Sequence, residues 1–147
     1  MARQPFSKRN LTDDELDLFC QALTHDSYSN EAGTAASYER HEFLGDAVIE
    51  LIVRERIFLS DPGSEGNMTI RKNDIVADHK MSQRIIEKGL DIDSVMLVGH
   101  GHIDGTTKKN IISESMRADS FEALIAAIYL LYGLKEAERI VLTTLLD

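Results

Sequence analysis

The chain has 147 residues, 43% of them apolar and 28% charged, which fits one globular domain with a real core and is too short for two full ones. Its single cysteine excludes an internal disulfide, and no run approaches the ~18 consecutive apolar residues of a membrane span. The net charge of −9, from 25 acidic against 16 basic residues, argues against a nucleic-acid binder unless the carboxylates gather around bound cations or the basic residues share a face.

Residues 1–10 (MARQPFSKRN) form a basic arm without the apolar core of a secretory signal, so a cytoplasmic protein is the expectation. With only two prolines and nine glycines, and little β-branched alternation, the pattern favours helices. Thr12 and Glu15 make a capping-box pattern that opens the first helix, and Leu16, Phe19, Cys20 and Leu23 follow at helical spacing. Cys20 is expected as a buried thiol. Residues 29–37 (SNEAGTAAS) read as a loop.

A long apolar helix is expected from about Tyr38 to Leu59, ended by the turn cluster at 60–67 (SDPGSEGN). The next helix runs from a Thr69 cap to Lys88, with Gly89 as its stop. A short element at Ile92–Val98 and the loop GHGHIDGTT lead to an apolar helix from about Met116 to Tyr132, stopped by Gly133. A last helix covers Lys135 to Leu146. The expectation is one all-α domain over residues 1–147, with six to eight helices.

Two helices carry a conflict between hydrophobicity and charge. Segment 43–53 (FLGDAVIELIV) is almost continuously apolar and predicts a helix buried on most faces, yet Glu39, Glu42 and Asp46 fall on one stripe at its start. Asp119 and Glu122 sit one turn apart at the head of another strongly apolar helix. Buried carboxylates must pair with cations, accept several hydrogen bonds or hold a proton. Helix caps, the helix dipole and salt bridges to Arg40 or Arg117 are one way to satisfy them. The other is convergence of four carboxylates on a site for Mg²⁺ or Mn²⁺, whose hard character suits oxygen ligands and metal-assisted phosphodiester hydrolysis.

Three motifs then resemble one family. ERHEFLGDAV at 39–48 resembles the ribonuclease III signature E-R-L-E-F-L-G-D-A, DSFEALIAAIY at 119–129 resembles its second acidic motif, and LTHDSY at 23–28 matches its L-T-H-x-S-Y. Glu31 stands where the family commonly has a glutamate or a nearby polar residue. The resemblance implies the helical endonuclease-domain fold of ribonuclease III and a homodimer that cuts double-stranded RNA in RNA processing, ribosomal RNA included, leaving 5′-phosphate and 3′-hydroxyl ends. It implies Mg²⁺ as cofactor, with Mn²⁺ able to substitute, held by Glu42, Asp46, Asp119 and Glu122 as metal-site and catalytic carboxylates. Glu39 matches an acidic position tied to RNA contact, and Phe43 an aromatic that enters a socket on the partner subunit; ordinary core packing is the other reading of Phe43.

The resemblance also has departures. His41 stands for the usual leucine and Ala126 for a common glycine, but no carboxylate is lost. The double-stranded-RNA-binding domain that usually follows is absent from these residues, so weak and salt-sensitive RNA binding is expected. Lys80, Arg84 and Lys88 form a stripe at i, i+4 and i+8 that reads either as an RNA contact or as a solvated face. The pairs Arg71/Lys72 and Lys108/Lys109 read likewise. His100 and His102 read as loop substituents, and His25 as a buried hydrogen-bonding group that positions the signature helix. A non-catalytic scaffold of the same fold, binding structured RNA or a partner protein, is the alternative function.

Overall fold

The computed structural model describes residues 10–33 and 36–147. The basic arm, apart from Asn10, lies outside the described residues. Seven α-helices carry the described chain: α1 (Asp13–Ala22), α2 (Asp26–Ala32), α3 (Glu39–Ser60), α4 (Glu65–Val76), α5 (Asp78–Glu87), α6 (Glu114–Tyr132) and α7 (Leu134–Val141). Short 3₁₀ turns at Asp93–Val95 and His100–His102 lie between α5 and α6, and a π turn, Leu142–Leu146, follows α7. There is no sheet among these residues, only the isolated bridges Thr24–Leu97 and Ile103–Asn110. The fold is all-α, as the composition and periodicity suggest.

Local chemistry sets the helix ends. Thr12 accepts from the Glu15 N–H while the Glu15 carboxylate reaches back to the Thr12 N–H, closing the expected capping box. Ser64 and Ser113 cap α4 and α6 through their hydroxyls. Gly89 and Gly133 stop their helices with φ of +71° and +90°, in the region that L side chains avoid.

Several expectations change. The loop at 29–37 is shorter, because His25 caps a two-turn helix α2 that reaches Ala32. The helix expected from Thr69 to Lys88 starts earlier, at Glu65, and breaks at Ala77, whose extended backbone (φ −61°, ψ 137°) ends α4 and opens α5. Cys20 is exposed: α1 buries Ala22 and turns Cys20 outward.

The core forms where α3 crosses α6. Val48, Ile49, Ile52, Val53 and Ile57 of α3 pack into one cluster with Phe121, Ile125 and Ile128 of α6, flanked by Met81 and Ile85 of α5 and by Ala137 and Val141 of α7. Helix α6 is buried nearly all round from Met116 to Ile128. Helix α3 is not: Phe43, Asp46, Ala47 and Leu51 face outward, so the near-continuous apolar run does not mean burial on most faces.

One contact fixes the crossing. A Cβ placed on Gly45 would lie 1.7 Å from the Glu122 carbonyl oxygen and 2.5 Å from its carbon, so the two backbones touch with no room for a methyl group. Ala118, Ala123, Ala126 and Ala127, all fully buried, keep the α6 side thin; Ala126, in place of the usual glycine, is accommodated there. Toward the N-terminal end of α6, the Arg117 guanidinium ties the helix to its surroundings. It grips the Asp93 carboxylate through two bonds of 2.7 and 2.6 Å and donates to Ser82 Oγ of α5 at 2.6 Å. Arg117 therefore serves Asp93, and not the acidic residues of its own motif.

Gly45→Ala is predicted to force α3 and α6 apart, lowering stability by about 2–3 kcal/mol and the melting temperature by roughly 6–12 °C. Thermal unfolding followed by circular dichroism checks this. An unchanged melting temperature would mean that the crossing is not set by this contact.

Candidate metal centre

The close approach at Gly45 places the acidic heads of α3 and α6 side by side. Glu42 lies one turn before Gly45 on α3, and Asp119 lies one turn before Glu122 on α6. Oxygens from Glu42, Asp119 and Glu122 lie within 4.8 Å of one another. Oxygens bound to one octahedral Mg²⁺ at ~2.1 Å stand about 3.0 Å apart when adjacent and ~4.2 Å apart when opposite, so the trio is looser than a coordinating set and must draw in to share a cation. Asp46, one turn further along α3, is exposed and stands at the edge of this trio, close enough for its charge to act on Glu42 and Glu122.

The site is electrostatically unbalanced. Burial, then the charges of Asp46, Asp119, Glu42 and Asp78, push the Glu122 carboxyl up to about 8. Burial, then Asp119, Glu39, Asp78 and Asp46, push Glu42 up to about 7. Asp119 rises to about 6 through burial and Asp78, although hydrogen bonds from Ser115 and Tyr38 pull the other way. Among the described residues, none of Glu42, Asp46, Asp119 and Glu122 forms an ion pair with lysine or arginine. The salt-bridge account of these residues therefore fails for want of a cationic partner, and the N-cap positions of α3 and α6 are held by Tyr38 and Ser113 instead of Asp46 and Asp119. An all-oxygen set that is mutually repelling and half-enclosed fits a hard divalent cation.

The other singled-out residues fall in varied places. Glu39 is exposed on the first turn of α3, near enough to act on Glu42 and His25. His41 is half-buried with Nδ1 unpartnered and is not among the converging ligands. Lys80 is exposed on α5, whereas Arg84 is half-buried and bonds Glu87 at 3.4 Å; Lys88 caps the same helix. Arg71 pairs with Asp61 and Lys72 with Glu50. Phe43 is 85% exposed on α3, which excludes core packing within the chain.

The LTHDSY segment links the site to the loop before α6. His25 is half-buried; its Nδ1 accepts from the Ser27 N–H and hydroxyl, and its ring meets Tyr38 edge-on at 5.7 Å and His102 at 5.1 Å. Ser27 Oγ accepts from the Gly99 N–H, and the Glu31 carboxylate takes both the His100 N–H and its Nδ1.

Sequence reasoning overlooked Asp78, Tyr38 and Ser115. Asp78 was hidden by treating 69–88 as one helix; the break at Ala77 carries it to the head of α5, facing the other acids. Tyr38 and Ser115 lie just outside the acidic motifs, and only their contacts with Asp119 reveal them.

Comparison with known proteins gives one consistent answer. A family model described as ribonuclease-III-like matches residues 15–147. Ribonuclease 3 of Bifidobacterium longum is 39% identical over 127 residues, 85% of this chain and 50% of that protein. Ribonuclease 3 of Mesoplasma florum is 39% identical over 77% of this chain and 47% of its own. The chain thus spans about half the length of these curated relatives. A nuclease domain of ribonuclease III from Campylobacter jejuni, described as flexible in a region involved in dimer formation, superposes with a TM-score of 0.77 at 28% identity, covering 92% of this chain and 88% of that one.

All three carboxyls are raised above their unfolded values of 4.5, 4.5 and 3.8, so the metal-free fold binds protons more tightly than the unfolded chain. Their contribution to stability is full below the unfolded values and is lost as pH rises through about 6, 7 and 8. In chelator, the melting temperature should fall between about pH 5 and pH 8.5. Glu122→Gln should recover on the order of 2 kcal/mol at the alkaline end, after allowance for solvent near the group. A flat or rising pH profile for the wild-type chain would contradict this.

Proposed function

The chain belongs to the ribonuclease III family, and from that premise we propose that it is a divalent-metal-dependent endoribonuclease that cuts double-stranded RNA as a homodimer. The observation that carries the reading is the convergence of Glu42, Asp119 and Glu122 within 4.8 Å, with no lysine or arginine among the described residues paired to them. In this reading Mg²⁺, or Mn²⁺ in its place, is held by these three carboxylates with Asp46 beside them. When bound, such a cation would supply charge stabilisation at the scissile phosphate and lower the pKa of a water; 5′-phosphate and 3′-hydroxyl ends are the products that the family resemblance implies.

The chain's own residues set the conditions for that chemistry. Helices α3 and α6 hold the carboxylates on rigid backbone, and burial of Glu122 at the crossing limits the water around the site. The raised carboxyl values make metal and proton compete for the same oxygens. Lys80 and Arg84 on α5, with Glu39 on α3, are the proposed RNA contacts. The −9 charge then calls for metal at the site and low salt for tight binding. We place this activity in cytoplasmic processing of structured RNA, ribosomal precursors among them; no helix among the described residues is long and apolar enough to cross a membrane.

The outward face of α3 supports the homodimer. Phe43, Ala47, Leu51 and Phe58 share one side of the helix, and Phe43 and Phe58 are 85% and 72% exposed. They stand about 22 Å apart along the axis, and their midpoint falls beside Leu51. A twofold axis there would run two copies of α3 antiparallel and set Phe43 against Phe58 of the partner subunit. A hollow of about 210 Å³ lined by Arg54, Ile57, Phe58, Met68 and Thr69 lies at that end and offers room for an aromatic ring.

Two measurements test the proposal. With Mg²⁺, the protein should cut a long RNA duplex but neither single-stranded RNA nor duplex DNA, and Glu122→Gln should slow cleavage by ~10³-fold or more. Cleavage without divalent metal, or by the variant at the wild-type rate, would refute the site; binding without cleavage would favour the scaffold alternative. Phe43→Ala should weaken the dimer by about 2 kcal/mol or more, roughly a 30-fold rise in dissociation constant. Light scattering on dilution that finds equal masses for both forms would refute the socket.

A further inference from the structure

Nδ1 of His25 stands between two kinds of partner that it cannot hold at once. It accepts the Ser27 N–H at 3.2 Å and the Ser27 hydroxyl at 2.7 Å, while Asp26 Oδ1 stands 3.1 Å away. The first two are donors and need a bare ring nitrogen; the carboxylate is an acceptor and needs a protonated one. Only the bare form caps α2, because the cap is the bond from the Ser27 N–H. The same form orients the Ser27 hydroxyl. Its proton goes to the ring, so its oxygen is free to accept the Gly99 N–H at 2.9 Å.

These bonds tie α2 to the connection between α5 and α6. A Cβ on Gly99 would lie 2.7 Å from Glu31 Oε1 and 3.0 Å from Ser27 O, so the connection rests directly on the helix. Glu31 holds the next residue, through the His100 N–H at 2.9 Å and its Nδ1 at 2.8 Å. A seven-residue helix has little stability of its own, so the cap at its start decides how firmly Ser27 is held.

Several segments face the His25 ring with charged or titratable groups. Asp26 comes from α2, Glu39 from α3, the Tyr38 phenol from the residue before α3, and His102 meets the ring edge-on at 5.1 Å. Burial is the largest influence; Asp26 and Glu39 oppose it, His102 adds to it, and the imidazole is held below its ordinary 6.5. The bare form is therefore the one present near neutrality, and it is lost as pH falls below 6.5. Glu31 does not follow, because the His100 N–H and ring hold its carboxyl below the usual range and keep it charged over the same interval.

We propose that His25 is a proton-operated latch that ties the Gly99 end of the α5–α6 connection to α2 near neutral pH and releases it in acid. On protonation, the new Nδ1–H turns to the Asp26 carboxylate. Helix α2 loses its cap, and Ser27 Oγ is no longer held toward Gly99. His100 stays on Glu31, so the release is confined to the Gly99 side of that anchor.

The test is nuclear magnetic resonance of the full chain between about pH 5 and pH 8, the range in which histidines titrate. The His25 ring signals are followed together with solvent exchange of the Ser27, Gly99 and His100 amides. After correction for the pH dependence of free amides, protection of Ser27 and Gly99 should fall about fivefold as the ring titrates, the scale of a lost side-chain cap. His100 should keep its protection. His25→Asn supplies a cap that does not titrate and should make Ser27 and Gly99 protection independent of pH. Asp26→Asn, at a side chain 48% exposed, removes the acceptor that the protonated ring needs, and should move the whole transition to lower pH with little risk to folding. Ring titration with no change at Ser27 and Gly99 overturns the latch, as does a pH response that persists in His25→Asn. A midpoint that Asp26→Asn leaves in place overturns the exchange of partners at Nδ1.

Discussion

The backbone contact between Gly45 and Glu122 is the constraint on which the rest of the structure depends. Two long apolar helices normally keep 8–10 Å between their axes because side chains stand between them. Here a glycine faces a carbonyl, and small residues continue the thin seam along α6. The closeness has two consequences. It lets Ile49, Val53 and Ile125 interlock below the crossing, and it brings acidic residues that precede the crossing on both helices to one point above it. Core and site are thus products of the same approach.

That arrangement stores electrostatic cost at the site and offsets it in the core. Each like-charged neighbour added at Glu122 raises the energy of its ionised form, and partial burial removes the water that would otherwise screen it. The fold tolerates this because α6 is anchored on either side of the site. Arg117 grips Asp93 and Ser82 at its N-terminal end, and the apolar cluster around Phe121 and Ile128 holds the stretch beyond Glu122. A divalent cation turns the same cost into affinity, since every charge that raises a carboxyl's pKa also deepens the well for a cation.

Much of this was legible in the sequence because the informative residues are short-range. Thr12 with Glu15, Gly89 and Gly133 are local signals whose physics needs no tertiary partner, and each acts as expected. The acids at 39–46 and 119–122 stood out because charge at the head of an apolar helix demands a reason. What escaped depends on partners distant in sequence. Ala77 carries no breaker signal, so the division of α4 from α5 and the position of Asp78 could not be foreseen. Cys20 and Phe43 both lie in apolar runs, and periodicity alone does not say which apolar side of a helix meets the core and which faces outward. For α3 that ambiguity is informative, since a surplus apolar face beyond what the chain can bury is what a self-associating helix carries. Arg117 looked like a neighbour for the motif acids and instead serves Asp93, which lies 24 residues earlier.

If the α3–α6 crossing creates one cation site, then Glu42, Asp119 and Glu122 must act together as its ligands. A crystal structure of the protein grown with Mn²⁺, with anomalous scattering recorded near the manganese edge, examines that directly. The expected result is an anomalous peak between these three carboxylates, with Asp46 beside it and the α3–α6 backbones unmoved. A peak elsewhere, or carboxylates that remain unliganded in the presence of Mn²⁺, would contradict it.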